Sequence, residues 1–488
     1  MRISGIGLAG VPFARCAAAL ERGTRIDGPD LAVPDTKHDT LSRHLARFVV
    51  NTEFSELPEP IVQAWKTVVL DSLAIGFVGS TDRLARAMTG VGRALGGTAE
   101  CTVMNSGFRT DAARAAWLNG TMIGTPQADS PSNAHAASNV VPAIMAIAER
   151  DHLSGKAFLS ALILGGEVGG RIERASVDVE TTRGFHNPAV QGPFSAAAAV
   201  GKLLRLDEDA IVHALGIAGS SSAGLQEFAF EGGDMKATHL GRAAQLGLES
   251  ALLAAAGVRG PSTVLEGPFG YFNGFSLPTD PQQVAANLTV GSLRVPGHKP
   301  YAVHSNHQQI VDTLVRFKVD HPSFQPADLR RVVVRGPEET MAPRHQVRDP
   351  TTVMGAKYST PFTTAAALWR DISDPLNYDQ EAVRDPRIRE LARQIALIAT
   401  DRAGERARGG DCEILLEMSD GRRHVLPTRS VKGSPGNPLT FDDGVAKFRQ
   451  WTRRIIPDDQ STELIERVRG LTQIEDMATL VRATAART

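Results

Sequence analysis

Apolar residues in the first half of the chain recur at helical spacing. Leu41, Leu45, Phe48 and Val49 share a face of a segment beginning at Asp39, and Ile61, Trp65, Val68 and Leu73 share a face of the next, after Pro58 and Pro60. This three-and-four spacing predicts two helices packed as antiparallel neighbours. The same period predicts helices over 111–122, 141–150, 155–174, 193–204, 207–218 and 235–256. Several are dense in small residues, as at Ala196 to Ala199 and Ala254 to Ala256, which lets helix axes approach closely. Gly257-Val258-Arg259-Gly260-Pro261 reads as a turn.

Near residue 280 the period changes. Arg331-Val332-Val333-Val334-Arg335 reads as a strand, and Cys412, Ile414, Leu416 and Met418 alternate up to an Asp420-Gly421 turn before His424-Val425-Leu426, a hairpin pattern. Helical spacing resumes over 442–456 and 461–485. The expected fold is mainly α: an all-helical domain of residues 39–278 plus 436–488, a smaller α+β lid domain of residues 279–435, and an N-terminal tail of residues 1–38. A chain of 488 residues is long enough for two such cores.

Composition narrows the functional classes. With 53 basic and 54 acidic residues the net charge is -1, which provides no electrostatic footprint for nucleic acid or a membrane surface. Cys16, Cys101 and Cys412 are too few and too scattered for a disulfide framework or an iron–sulfur site, and point to a reducing, cytoplasmic setting. No run approaches the roughly 20 apolar residues of a membrane helix, so a soluble protein is expected. The apolar stretch after Arg2 is broken by glycines and lacks a small-residue cleavage site. Its Gly5-x-Gly7-x-x-Gly10 string follows only four residues, too few for the strand that a dinucleotide loop needs, so no nicotinamide cofactor is expected. In Gly219-Ser220-Ser221-Ser222-Ala223-Gly224 the glycines are five apart rather than four and follow a helical pattern, so the run is not a nucleophile elbow.

The candidate chemistry centres on Gly297-His298-Lys299-Pro300-Tyr301-Ala302-Val303-His304-Ser305-Asn306-His307. Proton transfer beside a carboxylate needs a base that titrates near neutrality and cations to hold the developing negative charge; His304 and Lys299 can supply both. His298-x5-His304-x2-His307 lacks a close His pair and a neighbouring carboxylate, so no metal is expected. Lys236 and His239, three apart at a helix start, project from one side of its first turn, where an anion is favoured.

The chain resembles the MmgE/PrpD family, whose members include 2-methylcitrate dehydratase, cis-aconitate decarboxylase and an iminodisuccinate epimerase. The resemblance is carried by Ala115-Ala116-Trp117-Leu118-Asn119-Gly120-Thr121, by His135 followed by Val140-Val141-Pro142-Ala143, and by Gly184-Phe185-His186-Asn187 ahead of Gly192-Pro193-Phe194. It continues through Lys236-Ala237-Thr238-His239-Leu240-Gly241-Arg242-Ala243-Ala244, Val264-Leu265-Glu266-Gly267, Lys299-Pro300-Tyr301 and Lys432-Gly433-Ser434-Pro435-Gly436-Asn437-Pro438-Leu439. It implies the same helical domain and lid, a homodimer, and a cofactor-independent lyase, dehydratase or decarboxylase, acting on a small di- or tricarboxylate. It also implies that Lys299 and His304 contact substrate carboxylates and shuttle the proton, and that His135, His186, Lys236 and His239 line the pocket. Arg183, near His186, could clamp a carboxylate.

The chain departs from the family between Gly124 and His135. Where members carry an Asp-aromatic-Asp-Asp-Thr/Ser run, only Asp129 remains as a carboxylate, with Gln127 and Thr125 in neighbouring positions. Asp129 is retained as a catalytic candidate, and Gln127 and Tyr358 as substrate-binding candidates. A thinned acidic loop leaves dehydration without its acid, whereas proton exchange or decarboxylation needs only Lys and His. An isomerase or epimerase, or a catalytically impaired carboxylate binder, is the alternative.

Overall fold

The structure, a computed structural model, describes residues 39–487 apart from 131–132, 177–178, 180–182, 277–279, 401–410 and 435. The expected tail of residues 1–38, with Cys16 and the glycine string, and the lid boundaries at 279 and 435 lie outside the described residues.

Helix α1 (Leu41–Asn51) is started by Thr40, whose hydroxyl accepts the Arg43 N–H. Its apolar stripe of Leu41, Leu45 and Val49 joins Leu164, Phe194 and Ile211 in one core cluster. Trp65 and Leu73 of α2 (Glu59–Ser80) lie in a different cluster, so the two helices are not the expected antiparallel neighbours. The stripe of α1 finds its partner far along the chain, which local spacing cannot reveal. Helix α2 is long and apolar enough to cross a membrane by length and composition, contrary to the expectation from the sequence, because its Ser, Thr and Gly residues dilute the apolar pattern only weakly. Within the fold 89% of that apolar window is buried, and it carries the buried charges Lys66 and Asp71.

Helix α3 (Arg83–Leu95) and a hairpin of β1 (Cys101–Val103) and β2 (Phe108–Thr110) follow. Then come α4 (Ala112–Gly124), α5 (Ala136–Arg150), α6 (Gly155–Ala175), α7 (Asn187–Leu203), α8 (Glu208–Ser221) and α9 (Met235–Ala255). Helices α5 and α7 begin before the predicted starts and run through Pro142 and Pro193. Each proline removes one backbone hydrogen bond, and burial of the flanking residues outweighs that loss. Ala196 to Ala199 of α7 are fully buried, as the small-residue pattern predicts. Helix α9 packs closely on α4 and α7. At the α4–α9 crossing a Cβ added to Gly241 would lie 2.2 Å from the Trp117 carbonyl oxygen, and one added to Gly120 would lie 2.8 Å from the Gly241 Cα. Only hydrogens in place of side chains permit this approach.

The second half contains α10 (Gln308–Asp320), β3 (Leu329–Gly336), α11 (Val353–Tyr358), α12 (Thr360–Trp369), α13 (Pro386–Gln394), β4 (Ala396–Ala399), β5 (Glu413–Met418) and β6 (Arg423–Pro427). Strand order is β4-β3-β5-β6; β3 pairs parallel to β4 and antiparallel to β5, and β5 pairs antiparallel to β6. The parallel pair requires a crossover, which α11 to α13 provide. Val332, Val334, Ile414 and Leu416 of the sheet pack with Ile310, Leu314 and Phe317 of α10 and Phe362 of α12. Helices α14 (Phe441–Thr452) and α15 (Asp458–Arg469) return to the first cluster through Phe448, Leu464 and Val468. The predicted continuous helix 461–485 is broken after Arg469 by Gly470 and restarts at Ala478, where Asp476 accepts the Ala478 N–H.

Gly241→Val should lower stability by about 1–3 kcal/mol through overpacking of the α4–α9 crossing. Gly90→Ala, on α3 with nothing within 4 Å of the added methyl, is expected to be neutral or stabilising. Thermal unfolding midpoints of the two variants check both outcomes.

Candidate functional site

The site is organised by the turn between α4 and α5. Gln127, Asn133, Ala134 and His135 all have positive φ, at 65°, 56°, 50° and 61°. Left-handed backbone costs a non-glycine residue about 1–2 kcal/mol, so four such residues in nine must be held by their surroundings. The Asn133 amide donates to the Gly166 carbonyl at 3.1 Å, the Ala134 N–H donates to Glu173 at 3.1 Å, and the Asn139 amide donates to the Ala134 carbonyl at 2.6 Å. This path turns the His135 ring back onto Asp129.

Asp129 is fully buried. Its Oδ1 accepts from Lys236 Nζ at 3.0 Å, and its Oδ2 accepts from His135 Nδ1 at 2.5 Å and from the Ser138 hydroxyl at 2.9 Å. Burial alone would raise its pKa, but Lys236 and His135, with Lys299 beyond them, hold the carboxyl well below its ordinary range. An ionised carboxylate only accepts, so His135 Nδ1 carries a proton.

Lys299 is 3% exposed, and its Nζ donates to the Gln127 carbonyl at 3.4 Å. Burial pushes its pKa down to about 8, with Asp129 opposing the shift. Its backbone is seated by a buried ion network. Lys447 donates to the Lys299 carbonyl at 2.7 Å and pairs with Asp71 at 2.6 Å, while His298 Nδ1 lies 3.1 Å from the same carboxylate. The His298 N–H bonds to the Gly433 carbonyl at 2.7 Å, so the Lys432 to Leu439 motif serves as a seat for the Lys299 segment. His298 is therefore a structural partner of Asp71 rather than a member of a histidine cluster.

His304 lies between His345 and Tyr358, with ring centroids 4.5 and 4.8 Å away. Its Nδ1 accepts the Asn306 N–H at 3.3 Å, so a neutral ring carries its proton on Nε2. Burial, then His345, His307, Lys299 and Arg344, hold its pKa well below the usual imidazole range. His307 Nδ1 and His345 Nδ1 donate to the consecutive carbonyls of Lys357 and Tyr358, at 3.3 and 2.8 Å. Burial pushes His345 down to about 4. His304, His307 and His345 each place one nitrogen within 4.8 Å of the others, a possible metal-ligand set that the expectation of no metal did not consider, because His345 is 38 residues beyond His307. The His345 Nε2 already accepts from Arg344 at 3.3 Å and the His307 Nε2 lies 3.0 Å from the Thr360 hydroxyl. With Lys299 and Arg344 also nearby, the surroundings favour an anion over a dication.

Lys236 and His239 diverge despite their shared helix turn. Lys236 reaches Asp129 and the Gly124 carbonyl, whereas His239 Nδ1 faces His186 Nδ1 at 3.3 Å. His186 is buried edge-on against Phe228, and burial, then His239 and Lys236, hold its pKa well below the ordinary value. Tyr358 ends α11, 6.0 Å from Phe228. Asp129, His135, Lys236 and Lys299 thus form one group centred on the turn, and His304 with Tyr358 flanks it. His186 and His239 form a second pair beside it. Arg183 is exposed. The sequence does not single out Ser138, His345 or Lys357; the signal available for Lys357 was an ammonium in the short segment Val353-Met354-Gly355-Ala356-Lys357-Tyr358, directly before the candidate Tyr358.

The molecule is thus a mainly α protein whose buried, cation-rich acid–base group is built around one strained turn. Residues 43–284 match the MmgE/PrpD N-terminal domain and residues 301–472 the MmgE/PrpD C-terminal domain, and the chain belongs to this family. It is similar to cis-aconitate decarboxylase of Mus musculus, 25% identical over 461 residues covering 91% of this chain and 93% of the relative. Similarity extends to cis-aconitate decarboxylase of Homo sapiens, 25% identical over 90% of this chain and 94% of the relative, and of Aspergillus terreus, 25% identical over 90% and 95%.

Because the Asp129 carboxyl is held below its unfolded value of about 3.9, it contributes stability at and above that pH and loses it as the pH falls through the folded value. Asp129→Asn leaves Lys236 buried without its counter-charge and should cost about 3–5 kcal/mol at pH 7. The difference in melting temperature between variant and parent is expected to shrink as the pH falls below about 4.

Proposed function

We propose that the chain is a lyase that decarboxylates a small, cis-aconitate-like carboxylate, with its own side chains handling the proton and the charge. The observation that carries this reading is the Asp129–His135 couple flanked by Lys236 and Lys299. When a carbon–carboxylate bond breaks, its electron pair becomes an allylic carbanion delocalised onto a neighbouring carboxylate. Buried ammonium groups stabilise that charge most effectively where water is excluded. Lys236 and Lys299 are the ammonium groups in this assignment, and the neutral His304 adds its Nε2–H as a hydrogen-bond donor. His135, as imidazolium steadied by Asp129, delivers the proton that completes the new C–H bond, then regains one from solvent. This division of labour moves the proton from His304 to His135, because Asp129 holds a proton on the His135 Nδ1, whereas the His304 Nδ1 is an acceptor with no carboxylate beside it.

Dehydration fits the site less well. An acid for a departing hydroxyl must carry a proton, yet both Asp129 oxygens accept from Lys236, His135 and Ser138, and its pKa is depressed. The names of the related cis-aconitate decarboxylases point the same way.

Incubation with cis-aconitate and 2-methylcitrate in deuterated water tests the reading. Carbon dioxide release from cis-aconitate with one deuterium entering the product is expected, and no loss of water from 2-methylcitrate. Neither carbon dioxide nor deuterium exchange would leave a carboxylate binder without turnover. His135→Asn should lower kcat by about 10²–10⁴-fold, the usual contribution of a positioned acid. Because burial sets Lys299 at about 8, its ammonium is lost above that pH, and kcat/KM is expected to fall on the alkaline side with a midpoint near 8. A Lys299→Arg variant should keep its activity to higher pH.

A further inference from the structure

Three buried ammonium groups close on the turn that carries Asp129. Lys236 donates to the Gly124 carbonyl at 3.3 Å, Lys357 to the Pro126 carbonyl at 3.1 Å and Lys299 to the Gln127 carbonyl at 3.4 Å. They come from three different elements: the first turn of α9, the end of α11 and the segment before α10. All are at most 5% exposed. Only Lys236 has a carboxylate within ion-pair distance among the described residues; that carboxylate is Asp129. Each further buried ammonium carries a large desolvation cost unless an anion meets it. Burial, opposed by Asp82 and reinforced by Lys236, brings Lys357 down to about 8, and no carboxylate within ion-pair distance meets its ammonium among the described residues.

The backbone around Lys357 is tied to the histidine cluster. Its carbonyl accepts the His304 N–H at 3.2 Å and the His307 Nδ1–H at 3.3 Å. A shift of α11 would therefore move Lys357 and His304 together. The Lys357 Nζ lies 5.8 Å from the Tyr378 ring, which covers one side of it.

We infer that Lys357 is a specificity-determining residue whose ammonium, delivered to the Asp129 turn from α11, takes a third carboxylate and makes the site select tricarboxylates over dicarboxylates. The inference rests on the carboxylate-lyase reading above but does not depend on which bond the enzyme breaks. On this assignment Lys236 and Lys299 hold two carboxylates of any substrate, and Lys357 distinguishes a ligand that has one more. A different role, pinning the Pro126 carbonyl to hold the turn, would affect every ligand equally.

Calorimetric titration of tricarballylate, a saturated tricarboxylate, and of glutarate, a dicarboxylate, separates these roles. In Lys357→Met the tricarballylate affinity should fall at least about ten-fold, the scale of one lost charge-assisted contact. Glutarate affinity should change less than about two-fold and reports that the turn is intact. Lys357→Arg should restore most of the tricarballylate affinity. Equal weakening of both ligands, or no weakening of either, would overturn the assignment. Absence of binding by the parent protein to either ligand would overturn the carboxylate reading and this inference with it. Selective loss of tricarballylate binding in a protein that releases no carbon dioxide from cis-aconitate would sustain the Lys357 assignment and defeat only the lyase reading.

Discussion

A single buried carboxylate governs this site. Asp129 receives Lys236, His135 and Ser138 in a region that water does not reach, and its charge favours the ammonium form of Lys299. Were it protonated, the ammonium groups around it would lose their main compensation and their own protons would be harder to keep. Its ionisation therefore supports two things together: the charge of Lys236 and the proton on His135 Nδ1. One carboxylate cannot neutralise three ammonium groups, which leaves the turn with an excess of positive charge.

The same constraint explains why the protein tolerates so much backbone strain in one place. Four left-handed non-glycine residues between Gln127 and His135 would be costly in an isolated chain. They persist because side chains from α5 and α6 bond the turn and because α4 and α9 meet through facing glycines, bringing Lys236 to Asp129. The opposite wall depends on the Asp71 network, which fixes the Lys299 backbone through Lys447 and couples α2, α14 and the Gly433 segment to the chemistry. Small residues in the helices and buried ion pairs between them thus have one common effect, which is to hold charged side chains from distant segments within hydrogen-bond range.

Much of the helical plan was legible. Spacing marked α4, α6, α8 and α9 nearly to their ends, and alternation marked β3, β5 and β6, because those patterns record which face each element buries. The amphipathic α3, the short β1–β2 hairpin, β4 and the break at Gly470 escaped it. The pairing of α1 with α8 rather than α2 escaped it as well, since an apolar stripe states that it needs a partner but not which one.

For the site, the sequence by itself determined the cast: a lysine and histidine segment at 299–304, a helix-start lysine at 236, a lone carboxylate at 129 with a histidine six residues later, and the resemblance that joined them. Residue type sets what a side chain can donate, accept or titrate, and motif order survives in one dimension. The tertiary structure decided the roles. It turned His298 away to Asp71, set His239 against His186, brought His345 beside His304 and delivered Lys357 to the Asp129 turn. It also gave the Nδ1 atoms of His135 and His304 opposite parts, donor to Asp129 in one and acceptor from Asn306 in the other, because the atom facing a ring nitrogen belongs to the folded chain.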